Sequence, residues 1–350
     1  MSNTYGSALK LSIFGQSHAP AIGMTLEGLP AGFRPDLEKL QAFLDRRAPG
    51  QGVHTTSRKE ADVLEFLSGL VNGVTCGAPL CGIIRNTNVR SQDYVNLQKS
   101  PRPSHADYPA RVKYGPAHDG RGGGKYSGRL TAPLCIAGGL CLQLLEERGI
   151  RVGAQILQIA GLKNPRFDPI NPQIPSVYNV PTEEMLEAIA QAKAQGDSVG
   201  GIVECAAIGL PVGLGEPMFD GLENRLAQLL FAIPAVRGVD FGAGFDCASM
   251  LGSEHNDCYY VNQNQELRTR SNHAGGVVGG MSTGMPLILR AVFKPTASIA
   301  KVQESCSYDG SLSQLQIHGR HDPCIVPRAV PCVEAAVALA LVDSLLEAGL

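Results

Sequence analysis

The stretch RLTAPLCIAGGLCLQLLEER, residues 129–148, is apolar on most faces of a helix until its last three residues. Gly149 follows it and suits a helix end. A helix that is apolar nearly all round is buried on more than one side. Gly138 and Gly139 inside it lower its helix propensity, so we expect a neighbouring element to pack closely against them.

Shorter periodic runs predict further helices and strands around this segment. The predicted helices are 36–47, 181–195, 221–231 and 333–347, and the predicted strands are 9–14, 23–27, 152–159, 201–208, 238–245 and 286–293. This order of elements favours an α+β layering over a strict βαβ repeat. The length alone suggests two domains, but no linker rich in Pro, Ser or charge interrupts the chain. We therefore expect one domain over residues 1–350.

The charge balance argues against nucleic-acid binding and allows an anionic small molecule. The net charge is -2 and the isoelectric point is about 6.5, so the basic footprint of a nucleic-acid binder is missing. The 30 cations comprise 20 Arg and 10 Lys. Arg binds carboxylate and phosphate in a bidentate way, although codon bias explains the same ratio equally well. The 41 glycines predict many tight turns.

The ten cysteines form no C-x-x-C motif and no zinc spacing with His, so we expect no metal site. The N-terminus lacks the pattern of a signal peptide. The longest apolar run, about residues 132–145, is too short for a membrane span. These features predict a cytoplasmic protein with reduced thiols and no membrane partner.

Two clusters of polar residues lie in the first 60 residues. FGQSH, residues 14–18, follows a predicted strand, and His18 is either an acid or base or a structural histidine. We do not expect Ser17 and His18 to form a nucleophile–base pair, because adjacent side chains in a strand point apart. Asp45, Arg46 and Arg47 end a predicted helix, where a solvated helix end is favoured over a phosphate site.

Three further clusters lie in loops. The prolines of PRPSHADY, residues 101–108, hold Arg102 in extended backbone close to His105. DGRGGGKYSGR, residues 119–129, is either an anion-binding loop before the buried helix or a flexible hinge, and its Lys, Ser and Arg favour the anion site. KPTAS (294–298) and GRHDP (319–323) each combine a cation with turn or hydroxyl residues. Each is either a part of a site, with Asp322 as a tuned carboxylate, or a surface turn with an ion pair. Together the clusters indicate a site made from loops, suited to a substrate with phosphate and carboxylates.

These clusters, in this order, resemble the chorismate synthase family. The segments that carry the resemblance are GQSHAPAIGMTLEGLPAG (15–32), RPSHADYPARVKYG (102–115), DGRGGGKYSGRLTA (119–132), SNHAGGVVGGMSTGMP (271–286), FKPTASI (293–299) and GRHDPC (319–324). The resemblance extends over about residues 5–345, which is effectively the whole chain. Several long motifs in register are far more specific than a single glycine pattern.

The resemblance implies a β-α-β sandwich, with helices between antiparallel sheets, assembled as a homotetramer. It implies conversion of 5-enolpyruvylshikimate 3-phosphate to chorismate and phosphate, the last step of the shikimate pathway. This reaction is an anti-1,4-elimination that needs reduced FMN without net redox change. The flavin is reduced either by the chain itself with NADPH or by an external reductant. Because this sequence has no dinucleotide fingerprint, we favour an external flavin reductase as partner.

The resemblance also implies residue roles. His18 assists at the departing phosphate, and His105 holds a proton for the reduced flavin. Asp322, with Ser17 and Ser127, manages the proton at flavin N5. The implied substrate-binding residues are Arg47, Arg102, Arg129 and Arg320. The implied flavin-binding residues are Lys125, Tyr126, Ser127, Ala235, Gly279, Lys294, Pro295, Thr296, Ala297, Ser298 and Arg320.

The sequence departs from the family pattern at six positions. They are Gln16 for Glu, Ala19 for Gly, Tyr126 for Ser, Leu130 for Glu, Pro234 for Asn and Val53 for Arg. These departures affect flavin and nicotinamide contacts more than the catalytic His, Ser and Asp positions. The alternative functions are a non-catalytic binder of flavin or phosphate ligands and, disfavoured by the net charge, a nucleic-acid binder.

Overall fold

The computed structural model describes residues 3–50, 61–87, 99–175, 180–317 and 321–350. Its strands are β1 (Thr4–Tyr5), β2 (Lys10–Gly15), β3 (Ala21–Glu27), β4 (Leu64–Ser68), β5 (Leu70–Val71), β6 (Val74–Thr75), β7 (Leu80–Arg85), β8 (Arg151–Ile159), β9 (Leu162–Lys163), β10 (Gly201–Ile208), β11 (Val236–Phe241), β12 (Tyr259–Val261), β13 (Leu267–Thr269), β14 (Val277–Val278), β15 (Met281–Ser282), β16 (Leu287–Phe293), β17 (Gln303–Cys306) and β18 (Leu312–Leu315). Its α-helices are α1 (Leu37–Arg47), α2 (Asp107–Tyr114), α3 (Thr131–Glu147), α4 (Glu183–Ala194), α5 (Leu222–Ala232), α6 (Gly252–His255) and α7 (Val326–Glu347).

Two five-stranded antiparallel sheets form the outer layers, in the orders β1-β2-β3-β7-β4 and β11-β16-β10-β8-β9. At the centre of the second sheet, Cys205 of β10 lies opposite Ala154 of β8 and Leu289 of β16. Helix α3 packs on β3 and β7 of the first sheet, whereas α7 packs on β8 and β10 of the second. The two helices also pack on each other. Helices therefore lie between the sheets, which confirms the predicted α+β sandwich.

The two glycines inside α3 are the places where other helices approach it. A Cβ added at Gly138 would overlap the Cα and Cβ atoms of Ala335 on α7. A Cβ added at Gly139 would lie 2.5 Å from Leu40 Cδ1 on α1. The prediction of close neighbours is confirmed, because these contacts leave no room for a side chain.

Two predicted element boundaries were wrong. Helix α7 begins at Val326, not at residue 333, because Pro327 lies in the first turn and Pro331 is tolerated within a helix that the core surrounds. The strand predicted over 238–245 ends at Phe241, because the chain turns at Gly242, whose φ is 56°, and continues as a 3-10 helix over Gly244–Ser249.

A single cluster of buried apolar side chains extends from Leu9 on the N-terminal side of β2 to Leu345 in α7. Near its edge, the Asp343 carboxylate of α7 accepts hydrogen bonds from the backbone N–H groups of Ser7, Ala8 and Leu9, at 3.1, 2.9 and 2.8 Å. The segment between β1 and β2 is thereby joined to α7, the last described element. This continuity agrees with one domain over residues 1–350, which stays a prediction.

Two helical segments are long and apolar enough to cross a membrane, Gly128–Glu147 and Val326–Glu347. The most apolar part of each is largely enclosed by the protein, 83% and 94% buried respectively. The apolar run around residues 132–145 looked too short for a membrane span in the sequence. The helical segment that contains it has 20 residues, which is long enough. Their place between the two sheets accounts for their composition.

Candidate active site

A cavity of about 530 Å³ opens beside the N-terminal ends of α3 and α7. Side chains from segments that are distant in sequence line it, within residues 47–49, 102–106, 122–131, 232–235, 293–298 and 321–332. Its volume lies in the range typical of small-molecule sites. The loops that the sequence singled out therefore converge on one place, with the exceptions given below.

The wall of the cavity is strongly cationic. Its charged lining residues are Arg47, Arg102, Lys125, Arg129, Lys294, Arg328 and a single carboxylate, Asp322. The other carboxylates of the site lie behind the arginines and not on the wall. In a protein with a net charge of -2, this concentrates positive potential at one cleft.

Asp62 is a fully buried carboxylate that holds two of these arginines. Its Oδ2 accepts hydrogen bonds from Nε of Arg47, at 2.9 Å, and from Nη2 of the same residue. Its Oδ1 accepts a hydrogen bond from Nη1 of Arg129. Burial raises the pKa of Asp62, but the two guanidinium groups outweigh burial and hold that pKa below its usual range. Asp62 is therefore ionised and fixes both arginines.

Arg47 is 1% exposed, so the preference for a solvated helix end at this residue was wrong. Burial disfavours its charge, but Asp62 more than compensates and raises the pKa of Arg47. The neighbouring Arg46 is the partly exposed member and pairs with Glu334 of α7 through bonds of 2.7 and 3.0 Å. The two adjacent arginines thus have different partners: Arg47 bonds to Asp62, whereas Arg46 bonds to Glu334 on α7.

Asp107 organises a second group of residues at the start of α2. Its carboxylate accepts hydrogen bonds from Nε and Nη2 of Arg102, both at 2.7 Å, and from Nδ1 of His105, at 2.7 Å. Arg102 Nη1 donates to Ser298 Oγ at 3.0 Å. Burial raises the pKa of Asp107, but the bonds from Arg102 and His105 outweigh it and hold that pKa well below its usual range.

Ser17 and His18 do form a pair. Ser17 Oγ lies 3.0 Å from His18 Nδ1, contrary to the expectation from strand geometry, because both residues are in a turn after β2 has ended. A Cβ added at Gly122 would lie 2.5 Å from His18 Cε1 and 2.9 Å from Ser17 Oγ. The glycine loop therefore separates this pair from the cavity, and neither residue is among those that line it.

Two carbonyl groups of the glycine loop accept hydrogen bonds from residues of the site. The carbonyl oxygen of Gly124 accepts the N–H of Ser17 at 3.1 Å, and that of Gly122 accepts Nη2 of Arg102 at 2.8 Å. Beyond the loop, Ser127 Oγ accepts the N–H of Arg129 at 3.2 Å. The loop thus connects the Ser17–His18 pair with the arginine groups.

Lys125 and Tyr126 line the cavity. The Lys125 ammonium group lies near the aromatic rings of Tyr126 and of Tyr114 on α2. Lys125 Nζ donates to Tyr114 Oη at 2.8 Å and lies 4.4 Å from the centre of that ring. The hydrogen bonds from Lys125 and Tyr126 lower the pKa of Tyr114. Tyr126, a departure from the family pattern, therefore adds aromatic surface to the wall.

The segment 294–298 and Ala235 lie side by side. The carbonyl oxygen of Ala235 accepts the N–H of Lys294 at 3.0 Å, and Lys294 Nζ donates to the carbonyl oxygen of Ser104 at 3.0 Å. Ala235 has a φ of 75°, which is unusual for a residue with a side chain. Thr296 Oγ1 is buried without a hydrogen-bond partner among the described residues, although Thr296 lines the cavity. A bound ligand would satisfy it.

Asp322 and His321 both line the cavity, and Arg328 of α7 donates to Asp322 Oδ2 through Nη1. Arg320 and Val53 lie outside the described residues. Gly279 lies in the turn between β14 and β15 and does not line the cavity.

The remaining departures also have defined places. Leu130 packs on the core and Pro234 lines the cavity. The backbone carbonyls of Gln16 and Ala19 accept Nδ2 of Asn86 at 3.2 and 2.8 Å. The side chains of Gln16 and Ala19 take no part in these two hydrogen bonds.

Sequence reasoning missed three residues of this site. Asp62, Asp107 and Arg328 received no role, yet each bonds directly to a residue that did. Asp107 lies two positions from His105, and this spacing could have suggested it. Nothing in the local sequence around Asp62 signals its partners, which are 15 and 67 positions away.

Comparison with known proteins agrees with this geometry. The sequence profile of the family described as chorismate synthase matches residues 9–346. Chorismate synthase of Korarchaeum cryptofilum is 45% identical, with 98% of this chain and 97% of that protein covered. Chorismate synthase of Dehalococcoides mccartyi is 43% identical, with 100% and 98% covered.

A solved structure described as the crystal structure of chorismate synthase superposes with a TM-score of 0.77 at 27% identity, covering 98% of this chain and 93% of that chain. Fold and sequence agree over nearly the full length. The chain belongs to the chorismate synthase family.

Proposed function

We propose that this chain converts 5-enolpyruvylshikimate 3-phosphate into chorismate and inorganic phosphate. The reaction is an anti-1,4-elimination, in which a C–H and a C–O bond break and a C=C bond forms, so the enzyme is a carbon–oxygen lyase acting on phosphates. The observation that carries the proposal is a cavity in which Arg47, Arg102 and Arg129 are each held by a buried carboxylate.

The three arginines bind the phosphate and the two carboxylates of the substrate. Because Asp62 and Asp107 fix their guanidinium groups before binding, little reorganisation is needed when charge develops on the departing phosphate. Asp62 and Asp107 are not on the cavity wall, so they neutralise the arginines only in part and from behind. This arrangement favours an anionic ligand in front of them.

His105 is the proton-holding residue on the wall. The ionised Asp107 can only accept, so His105 Nδ1 carries hydrogen toward it and Nε2 is the atom that holds or releases a proton. Asp322, ion-paired with Arg328, is the only carboxylate among the described lining residues. The proposed role of His18 is to assist at the departing phosphate; its ring lies against Gly122 and its Nδ1 is 3.0 Å from Ser17 Oγ.

The residues present fit reduced FMN, which supplies electron density to the substrate while phosphate leaves. A planar ring needs an apolar wall, and Ile233, Ala235 and Pro295 provide one. Lys125 and Lys294 provide cations for its phosphate. The unpartnered Thr296 Oγ1 provides a hydrogen-bonding group. We propose that these residues, with Tyr126, Ser127, Ala297 and Ser298, hold the cofactor; Gly279 and Arg320 remain proposed from the resemblance.

The test is an anaerobic assay of the purified protein with dithionite-reduced FMN and 5-enolpyruvylshikimate 3-phosphate. We expect chorismate and phosphate in equal amounts. Absence of chorismate, with FMN binding still seen by fluorescence quenching, would support the alternative of a non-catalytic flavin binder. The H105A variant should lose turnover, and H255A serves as control because His255 lies on α6 and does not line the cavity.

We also propose that an external reductase supplies the reduced flavin, that the protein is cytoplasmic, and that it is a homotetramer. Chorismate formation from NADPH and FMN without dithionite would overturn the first proposal. Light scattering of the purified protein gives the mass of the assembly, and a mass of one or two chains would overturn the last.

A further inference from the structure

Cys135 on α3 and Cys332 on α7 face each other across the seam between the two central helices. Their Sγ atoms are 3.8 Å apart. Cys135 is fully buried and Cys332 is 3% exposed. Neither residue has a part in the proposed reaction, so the pair needs a separate account.

The helix seam allows these sulfurs to come closer. Gly138 and Ala335, which nearly touch, lie three positions after Cys135 and Cys332 respectively. Because the offset is the same on both helices, α3 and α7 run parallel at this contact. The two cysteines therefore face each other about one helical turn before the Gly138–Ala335 contact. A disulfide needs an S–S distance of about 2.05 Å, so the sulfurs must approach by roughly 1.8 Å. Side-chain rotation and a shift of the two helices together must supply this movement.

The two thiols differ in chemistry. Cys332 lines the cavity, so a small solute can reach it, whereas Cys135 lies behind it. The hydrogen bond from Cys135 and the charge of Arg47 lower the pKa of Cys332 to about 7, although burial opposes them. Burial raises the pKa of Cys135. These differences suit an attacking thiolate at Cys332 and a resolving thiol at Cys135.

We propose that Cys135 and Cys332 form a redox-sensitive pair that hydrogen peroxide converts into a disulfide. In the first step the sulfur of Cys332 attacks one peroxide oxygen, the O–O bond breaks, and Cys332 sulfenic acid and water form. In the second step the sulfur of Cys135 attacks the sulfenic sulfur, the S–O bond breaks, and the disulfide and a second water form. Two thiols are oxidised while one peroxide is reduced, and a dithiol reductant reverses the change.

The bond would join α3 to α7 beside Arg47, whose charge acts on both sulfurs. A shift of α3 and α7 toward each other would also move Thr131 and Arg328, which these helices place on the cavity wall. We therefore infer a reversible loss of activity on oxidation. This consequence, unlike the disulfide itself, rests on the proposed function.

The experiment exposes the full chain, without flavin or substrate, to hydrogen peroxide, blocks free thiols and digests it without reduction. Cys141 shares a tryptic segment with Cys135, so a C141S background makes the assignment unique. We expect one peptide pair linked through Cys135 and Cys332, lighter by two hydrogens and separated by dithiothreitol. The link should form in C76S, a control at an exposed cysteine, and not in C135S.

In C135S we expect Cys332 to proceed to sulfinic acid, which dithiothreitol does not reverse. Peroxide-treated wild-type protein should regain chorismate formation with dithiothreitol, whereas treated C135S should not. Cys332 sulfinic acid in the wild-type protein without any linked peptide would overturn the pair. So would an unmodified Cys332 under conditions that oxidise Cys76. Both readouts are by mass, so they stand even if no chorismate is formed.

Discussion

Asp62 is one buried carboxylate shared by two arginines, and its removal leaves two charges without compensation. For D62N we expect a loss of about 3–5 kcal/mol in the free energy of unfolding, the range for breaking a buried ion pair. Denaturant unfolding followed by circular dichroism measures it. E65Q is the matched control, because Glu65 pairs with Arg85 at an exposed site and such pairs contribute at most about 1 kcal/mol. Equal losses in the two variants would contradict the role given to Asp62.

Asp107 makes the stability of the fold depend on pH. Its pKa is lower in the folded protein than in the unfolded chain, so it stabilises the fold above about pH 4, the unfolded value, and this contribution is lost progressively below it. The difference in thermal midpoint between wild type and D107N should therefore be large at pH 7 and smaller at pH 3. D246N, at an exposed ion pair, should show a small difference at both. A D107N difference that does not change with pH would refute this linkage.

Gly122 lies against the Ser17–His18 pair, and its φ is 63°. G122A should displace His18 and strain the loop. If His18 has its proposed role, we expect turnover to fall on the order of 100-fold, the loss that a displacement of about 1 Å can cause. G120A is the control in the same loop, since Gly120 has no atom near its Cβ position. Unchanged turnover in G122A would show that the position of His18 is not critical.

At the level of single residues, the sequence singled out many of the residues that line the cavity but not the carboxylates that hold its arginines. Arg102, His105 and Asp322 stand out through their neighbours in short motifs. Asp62 does not, because its partners come from distant segments and only folding brings them together. The pairing of Ser17 with His18 was excluded for a different reason: it depends on where β2 ends, which periodicity does not fix.

The contact between α3 and α7 depends on a missing side chain. Alanine ordinarily favours a helix over glycine by about 1 kcal/mol, but at Gly138 the new methyl group would overlap Ala335. Overpacking of this kind costs about 1–3 kcal/mol, so G138A should lower the free energy of unfolding. G252A, where no atom lies near the Cβ position, should not. A stabilised G138A would show that the helices can separate without penalty.

Whole elements were predicted well where periodicity and end signals agree. Helix α1 has its predicted start, since the Asp36 side chain accepts the N–H of Lys39 at 2.9 Å as an N-cap. Strand β10 matches its predicted range. The first two turns of α7 were missed, because a proline normally marks a helix end and only tertiary packing permits Pro331 there. Strands β4 and β7 carry no comparable pattern and were not predicted.

For the molecule as a whole, a continuous core between two sheets predicts one unfolding transition. Helix α7 packs on α3, α5 and strands β8 and β10 of the second sheet, so its departure would uncover the second sheet and one side of α3. We expect calorimetry to give a single peak whose position agrees with circular dichroism and tyrosine fluorescence, the latter usable alone because the chain has no Trp. Two separated transitions would refute the single-domain proposal.

The α+β layering could be inferred from the sequence, whereas the choice of which sheet covers which helix could not. A helix apolar on most faces requires neighbours on several sides, and the order of elements favours an α+β layering, whereas the sandwich itself was implied by the family resemblance. Which sheet covers which helix depends on pairing between strands far apart in the chain, such as β10 with β16. Such pairing leaves no local trace in a single sequence.

The bond between Asp343 and the backbone of residues 7–9 also has a consequence in time. At usual translation speeds the 350 residues take roughly 20–70 s to synthesise, and α7 is the last described element to leave the ribosome. Until then the apolar inner face of the second sheet lacks the helix that packs on β8 and β10. We expect the yield of active protein to depend on chaperones that shield the nascent chain, and on how long its final helix takes to arrive.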